Sequence, residues 1–316
     1  MTQAVKRRWG IAVAAAALIA YVVAFAVFFD DADVSLGWEA WGILVAASVI
    51  QMLALWLFGE LFRQGVAVTG HTISSGLGFR AALVGSSVAR LLPAGGAVTP
   101  VAMAWTVRGQ APGSGGAAVR ATALNYGGLI LLTSLGLFVY SLSGANPAMS
   151  GTLNVVAGVA LAIGLAIVAL ASRLGALREK MPEWVKRRLG EAMVDLPVDL
   201  RAHGYVWGRL AGEAVVLGLV LIAFRIDLGV VEVATAFGIT QLAAGIPGTP
   251  GGLGFAEAGL VGALAFFGIG AGASVAPVLV FRVISYWLPA GAGLVAGTSA
   301  FLSTARNDNG ETPAQA

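Results

Sequence analysis

The chain has 316 residues, of which 58% are hydrophobic and only 11% are charged, and its formal net charge is +3. A soluble domain carries about 25% charged residues, so the composition excludes a soluble protein and predicts a polytopic membrane protein. The sequence contains no cysteine, which excludes disulfides and thiolate metal sites. Basic residues that flank membrane spans explain the positive charge better than nucleic-acid binding does.

Long uncharged runs predict membrane-spanning helices, each of which needs about 20 apolar residues. The first run, residues 9–29, follows a basic cluster at residues 6–8. It exceeds the apolar core of about 7 to 15 residues in a secretory signal, so we expect a retained first span. The basic cluster places the amino terminus in the cytoplasm, and the next loop, with acidic residues only, is expected outside.

Five further spans follow in chain order. The second is predicted at residues 41–62 and returns the chain to the cytoplasm. The uncharged run 121–172 is too long for one span and contains the turn sequence SGANPAMSG, which predicts a helix pair with a short outer loop. The last two are expected at residues 207–224 and 276–302, so that the chain ends in the cytoplasm.

Between these spans lies the main polar segment, residues 173–205, which we interpret as a cytoplasmic linker. Within it, apolar residues recur at helical spacing beside a basic cluster at residues 186–188. This pattern fits a helix lying on the inner leaflet and an ordinary solvated helix equally well. We interpret residues 1–305 as one transmembrane domain and residues 306–316 as a disordered cytoplasmic tail.

Two remaining segments share an unusual pattern, and we name them the first interrupted segment, residues 82–105, and the second interrupted segment, residues 236–259. In each, a half-length apolar stretch leads to proline and a Gly-Gly pair, and another half-length apolar stretch follows. Proline removes a helical hydrogen-bond donor, and glycine costs about 1 kcal/mol relative to alanine in a helix. Both helices should therefore break, at Pro93 and at Pro247.

A broken backbone in lipid must be buried in protein or line a wet cavity. If both segments are re-entrant hairpins, the first enters from the cytoplasm and the second from outside, because three spans lie between them. Inverted repeats with paired interrupted helices indicate a transporter's central site. The alternative is that the proline and glycine residues produce only kinks that help the helices pack. The predicted fold is an all-α polytopic membrane protein with about six full transmembrane helices and two Pro/Gly-broken re-entrant helix hairpins in inverted repeats.

The second interrupted segment and the following helix resemble the transmembrane region of lysylphosphatidylglycerol synthases and their stand-alone relatives. That family's pattern, P-x-x-P-G-G-x-G-x-x-E-A with a later arginine, corresponds here to Pro247, Pro250, Gly251, Gly252, Gly254, Glu257, Ala258 and Arg282. The resemblance extends loosely over about residues 9 to 303. The first half departs from the pattern: PAGGAVTPVAMAW lacks the usual acidic residue and arginine, and Asn125 stands where an arginine is common.

The resemblance implies movement of a lipid between leaflets of the plasma membrane, with aminoacylated phosphatidylglycerol as the named case. The expected partners are membrane phospholipids, anionic or aminoacylated, or a polyprenyl-linked lipid, together with a lipid-modifying enzyme in some cases. The soluble aminoacyl-transferase domain of full-length synthases has no counterpart in the sequence, so we expect no lipid synthesis. A scaffold for a synthase or glycosyltransferase is the alternative function.

Glu257 and Arg282 are the only charged residues in the 73-residue stretch 233–305, and they are opposite in sign. An ionisable group at the centre of a membrane helix costs about 2.5 to 3.5 kcal/mol, so it usually faces a cavity or a partner. We expect the guanidinium to bind a phosphate and the carboxylate to neutralise it in the empty state. A purely structural ion pair is the alternative. The nearby glycines would let the backbone approach a headgroup, with the amide end of the next helix directed at it.

The first half of the chain supplies secondary candidates, which are Arg90, Pro93, Gly95, Gly96 and Asn125. Arg90 is expected to extend to the cytoplasmic surface instead of binding the cargo. Glu213 is interpreted as a helix-end residue and not as a proton carrier.

Sequence motifs give little support to an enzyme. Asp31 and Asp33 resemble the acidic pair of a glycosyl-transfer metal site, but an acidic outer loop explains them. The two histidines, His71 and His203, do not form HExxH, and GxxxxGK[ST] does not occur. We therefore expect no cofactor, no metal and no direct use of ATP.

Overall fold

The structure is a computed structural model that describes residues 37–92, 95–143, 150–172, 200–246 and 248–308, with side chains to residue 298. Several predictions lie outside these residues: the first span, the acidic outer loop up to residue 36, the turn at 144–149, most of the linker and the tail. Pro93 and Pro247 also lie outside them.

The described residues form helices and short turns, with no β-strand among them, which confirms the all-α class. A five-residue π-helix, Val283–Trp287, joins the last two described α-helices without a break. The α-helices in chain order are α1 Trp38–Val68, α2 Ser75–Leu91, α3 Gly95–Val107, α4 Gly115–Leu142, α5 Ser150–Ser172, α6 Leu200–Ala223, α7 Val230–Ala244, α8 Phe255–Phe266, α9 Ala271–Arg282 and α10 Leu288–Asp308.

Five stretches of the described chain are long and apolar enough to cross a membrane, which confirms a multi-pass membrane protein. Four are single helices. Helices α1 and α6 match the predicted spans 41–62 and 207–224, and helices α4 and α5 match the predicted helix pair. The fifth runs without a break through α9, the π-helix and α10, at Ala271–Thr298. Helix α6 already begins at Leu200, so the last residues of the predicted linker belong to a span.

Both interrupted segments are broken where the sequence predicts. The first consists of α2 and α3, of 17 and 13 residues, which pack against each other. The second consists of α7 and α8, of 15 and 12 residues, which also pack against each other. At 1.5 Å per residue these helices are about 18 to 26 Å long, shorter than a hydrocarbon core of about 30 Å.

Small residues allow close helix contacts inside the protein, and many large apolar residues are exposed on its outer surface. Helix α1 packs along α6 and crosses α2 at Gly59, where an added Cβ would lie 2.7 Å from the Gly78 backbone. Such close approach of small residues is typical of helix contacts in membranes. Helix α4 packs on α5 and α7, while Leu135, Val155 and Leu165 point outward from this face. The apolar exterior fits a lipid environment.

Candidate functional site

The turn between α7 and α8 is closed by glycines that pack against the protein. Gly251 and Gly252 have φ values of +54° and +68°, which L side chains rarely adopt. A Cβ on Gly251 would lie 2.3 Å from the Tyr286 ring, and one on Gly252 would lie 2.3 Å from the Cα of Ala244. The close backbone approach predicted at these glycines therefore occurs, but the groups approached belong to the protein.

Glu257 and Arg282 form an ion pair, so the two isolated charges face each other as expected. Arg282 Nε donates to Glu257 Oε1 at 2.7 Å, and Arg282 Nη2 donates to the Gly251 carbonyl at 3.3 Å. The Arg282 side chain is 3% exposed and that of Glu257 is 19% exposed. The pair joins α9 to the turn of the second interrupted segment.

Glu257 also caps α8. It is the third residue of that helix, and its Oε2 accepts the Gly254 N–H at 2.7 Å. A carboxylate at this position satisfies a free amide and complements the positive end of the helix dipole. The amide end that the sequence suggested for an anionic ligand is thus already partly satisfied by the chain's own carboxylate.

Tyr286 connects the end of α2 with the turn of the second interrupted segment. Its hydroxyl lies 2.5 Å from the carbonyl oxygen of Arg90 at the end of α2, and 3.3 Å from that of Pro250 in the α7–α8 turn. The Arg282 guanidinium lies over its ring, with Cζ 4.5 Å from the ring centroid. Sequence reasoning missed Tyr286, although its position four residues after Arg282 places it on the same helix face.

Arg90 is held by backbone carbonyls inside the protein, so its expected extension to the cytoplasmic surface is wrong. Its Nη1 donates to the Ser86 carbonyl at 3.0 Å. Its Nε and Nη2 donate to the Ser285 carbonyl at 3.1 Å and 2.9 Å. Ser285 lies in the π-helix, where the shifted hydrogen-bond register lets a carbonyl accept an outside donor. Arg90 thus binds the first interrupted segment to the last span.

A second charged cluster surrounds Glu213, which is 3% exposed in the middle of α6, so its interpretation as a helix-end residue is wrong. Its Oε1 lies 3.4 Å from Arg209 Nε, Arg209 Nη2 and Gln51 Nε2, and its Oε2 lies 3.4 Å from Gln241 Nε2. Arg209 stacks over Phe58, with Cζ 4.0 Å from the ring centroid. Donors from α1, α6 and α7 therefore stabilise the carboxylate.

Both charged clusters border one cavity of about 710 Å³, which we name the central cavity. It lies where the interrupted segments meet, between them and α4 and α6. Three arginines and one glutamate line it: Arg90, Arg209, Arg282 and Glu213. Among the other predicted site residues, Gly95, Gly96, Asn125, Gly251 and Gly252 also line it. Glu257, Pro250 and Gly254 do not line it, although Glu257 contacts the lining residue Arg282.

The rim of the central cavity is mostly apolar and exposed. It is formed by Ala97 of α3, Val119 and Tyr126 of α4, and Gly245 and Ile246 after α7. The floor is polar, because Ser86, Thr99 and Ser285 are buried there beside the charged residues. The cavity therefore joins a buried cationic floor to an apolar opening on the outer surface of the helices.

The chain matches a family model described as the lysylphosphatidylglycerol synthase transmembrane region over residues 9–293. The matched range contains both interrupted segments and all the charged residues of the central cavity. Among curated proteins, no significant match to the chain is found.

Proposed function

Because the chain belongs to the lysylphosphatidylglycerol synthase transmembrane-region family, we propose that it is an integral membrane lipid transporter of the flippase or scramblase type. It moves a phospholipid, or another lipid with an anionic headgroup, between the leaflets. The observation that carries this proposal is the central cavity, whose floor holds three arginines and one glutamate and whose rim is apolar.

The charges of the central cavity suit a phosphate group. Arginine presents a planar set of N–H donors that matches phosphate oxygens, and in a low-dielectric site such contacts are stronger than in water. The excess of positive charge among the lining residues favours an anion and disfavours a purely cationic cargo. Aminoacylated phosphatidylglycerol keeps its phosphate, so both anionic and aminoacylated phospholipids remain candidates, as does a polyprenyl-linked lipid.

The size and rim of the cavity suit a headgroup whose acyl chains stay outside. Cavities of about 300 to 1,000 Å³ hold small molecules, and 710 Å³ falls within that range. Two long acyl chains would need far more space. The apolar rim at Ala97, Val119 and Ile246 lets the chains remain in lipid while the headgroup enters.

We further propose six full spans and two re-entrant hairpins in inverted repeats, with both termini in the cytoplasm and the protein in the plasma membrane. The support is the five membrane-length stretches, the apolar run 9–29 and the half-length helices of both interrupted segments. The end of α2 and the α7–α8 turn meet at Tyr286, as expected if the hairpins approach each other from opposite sides.

Lipid exchange by the purified protein tests the proposal. Vesicles with fluorescent phosphatidylglycerol, phosphatidylcholine or phosphatidylethanolamine are treated with a membrane-impermeant quencher, and the rate at which inner-leaflet lipid becomes accessible is measured. We expect faster exchange than in protein-free vesicles, with phosphatidylglycerol fastest. The matched control is Arg108→Gln, which removes an exposed arginine outside the cavity. Rates equal to those of protein-free vesicles would favour the scaffold function instead.

A further inference from the structure

The three arginines of the central cavity differ in how fully their N–H groups are used. Arg90 directs Nε, Nη1 and Nη2 to backbone carbonyls at 2.9 to 3.1 Å. Arg282 directs Nε to Glu257 and Nη2 to the Gly251 carbonyl, and its face lies on Tyr286. Arg90 therefore uses all three of its nitrogens and Arg282 uses two of three, in contacts that hold the interrupted segments in place.

Arg209 is the exception. Its Nη1 is buried and has no hydrogen-bond partner among the residues that the structure describes. Its other two nitrogens reach only Glu213, at 3.4 Å, which is long for a charge-assisted bond. The residue is 8% exposed and lines the cavity, and the Phe58 ring supports its guanidinium from one face. A buried charged donor without an acceptor is unfavourable, so this group is ready for an anionic ligand.

We propose that Arg209 receives the phosphate group of the cargo and that Glu213 is its counter-ion in the empty cavity. This inference rests on the proposed function and deepens it, because it assigns the phosphate contact to α6 instead of to Arg282. When a phosphate oxygen reaches Nη1, the guanidinium turns from Glu213 to the ligand. Gln51 and Gln241 continue to donate to Glu213, so the carboxylate is not left without partners.

The weak contacts around Glu213 suit such an exchange of partners. Every donor lies 3.4 Å from the carboxylate, whereas the Arg282–Glu257 contact is 2.7 Å long. A close pair resists displacement, while a loose pair keeps its charges balanced and still yields to a stronger ligand. Selectivity for a phosphate therefore resides in Arg209.

The test measures binding, not transport, so it can fail separately from the proposed function. Purified protein in detergent is titrated with dioctanoyl phosphatidylglycerol, with dioctanoylglycerol, which lacks the phosphate, and with inorganic phosphate. We expect saturable binding of the first ligand only. Arg209→Lys keeps the charge but loses the planar donor set, so the affinity should fall about tenfold. Arg108→Lys, at an exposed arginine outside the cavity, should bind as the wild type does.

A second variant guards against misfolding. The neutral double change Arg209→Gln with Glu213→Gln leaves no unpaired charge, so it should keep the melting temperature of the Arg108→Lys control and lose binding by more than tenfold. Wild-type affinity in either Arg209 variant, or no binding by the wild type, would overturn the inference. Inorganic phosphate that binds as tightly as phosphatidylglycerol would overturn the assignment to a lipid. If binding depends on Arg209 but the protein does not exchange lipid, the proposed transport would be refuted and the binding inference would stand.

Discussion

At the scale of single residues, the ion pair between Glu257 and Arg282 has two roles that mutations can separate. It neutralises a guanidinium that is 3% exposed, and it holds the turn of the second interrupted segment through Gly254 and Gly251. Breaking a buried pair by removing one partner costs about 3 to 5 kcal/mol, because the remaining charge is left uncompensated. Removing both partners avoids that cost.

We therefore predict that Glu257→Gln and Arg282→Gln each lower the free energy of unfolding, and that the double variant is more stable than either. Because Glu257 is partly exposed, we expect each single substitution to lower the free energy of unfolding by about 3 kcal/mol, the lower end of that range.

Arg282→Lys should keep the fold and lower lipid exchange, because an ammonium cannot contact Glu257 and the Gly251 carbonyl in the same planar geometry. Melting temperatures in detergent and vesicle exchange rates provide the measurements. Full exchange by the neutral double variant would show that the pair only holds helices together.

Tyr286 gives a second prediction at this scale. Tyr286→Phe removes the hydroxyl near the Arg90 and Pro250 carbonyls but keeps the ring under Arg282, so stability should fall by about 0.5 to 1.5 kcal/mol. Lipid exchange should slow, because the end of α2 and the α7–α8 turn lose their shared contact. The control is Tyr140→Phe, at a ring that packs on Phe266 and Phe267. Equal effects of the two substitutions would assign no special role to the Tyr286 hydroxyl.

At the scale of elements, the second interrupted segment depends on a tight turn that glycine alone allows. The chain reverses between α7 and α8 with Gly252 against the Ala244 backbone and with positive φ values at Gly251 and Gly252. In the first segment, the end of α2 is fixed by the Arg90 side chain and by the contact of its carbonyl with Tyr286. Arg90, Gly251 and Gly252 all line the central cavity, so these contacts shape its wall.

We predict that Gly252→Ala destabilises the protein, because a Cβ there would lie 2.3 Å from Ala244 Cα and the φ of +68° is strained for alanine. The matched control is Gly262→Ala in α8, where an added Cβ meets nothing within 4 Å and which should stabilise the helix by about 0.5 to 1 kcal/mol. The double change Gly251→Leu with Gly252→Leu should abolish lipid movement by disrupting the turn. A melting temperature unchanged by Gly252→Ala would contradict this account.

At the scale of the whole molecule, the interrupted segments decide the orientation of every later span. If α2 and α3 return to the side from which they came, α4, α5 and α6 carry the chain across three times, and Thr72 and Asp227 lie on opposite sides. If α2 and α3 together cross the membrane, the same two residues lie on one side. Both residues are exposed in turns, and the sequence has no cysteine to interfere.

We predict that a cysteine at Asp227 reacts with an impermeant reagent in intact cells, whereas a cysteine at Thr72 reacts only after permeabilisation. Positive-inside topology places the turn before α2 in the cytoplasm and the turn after α6 outside. The comparison has an internal control, because each single-cysteine protein is measured before and after permeabilisation. Labelling of both sites from the same side would rule out a re-entrant first segment.

The sequence by itself determined the class, the five membrane-length stretches that the structure describes, the interruption of both half-length segments and the isolated ion pair. Each of these follows from local properties of the sequence. Apolar length sets a span, and proline and glycine break a helix. Two opposite charges that are the only ones in a 73-residue stretch are expected to pair. The family pattern lies in the same stretch, which explains why the resemblance and the match over residues 9–293 agree.

Only the tertiary structure decided which other polar groups share the central cavity. Arg90 meets Ser285, 195 residues away, and Gln51 meets Glu213, 162 residues away, so neither contact leaves a local pattern. The interpretation of Glu213 as a helix-end residue is wrong because the predicted span 207–224 begins seven residues after the true start of α6 at Leu200. Arg209 is not predicted as a site residue, because hydropathy does not give the direction in which a side chain points. The direction of a side chain depends on which helices pack around it, and that packing is set by contacts between distant parts of the chain.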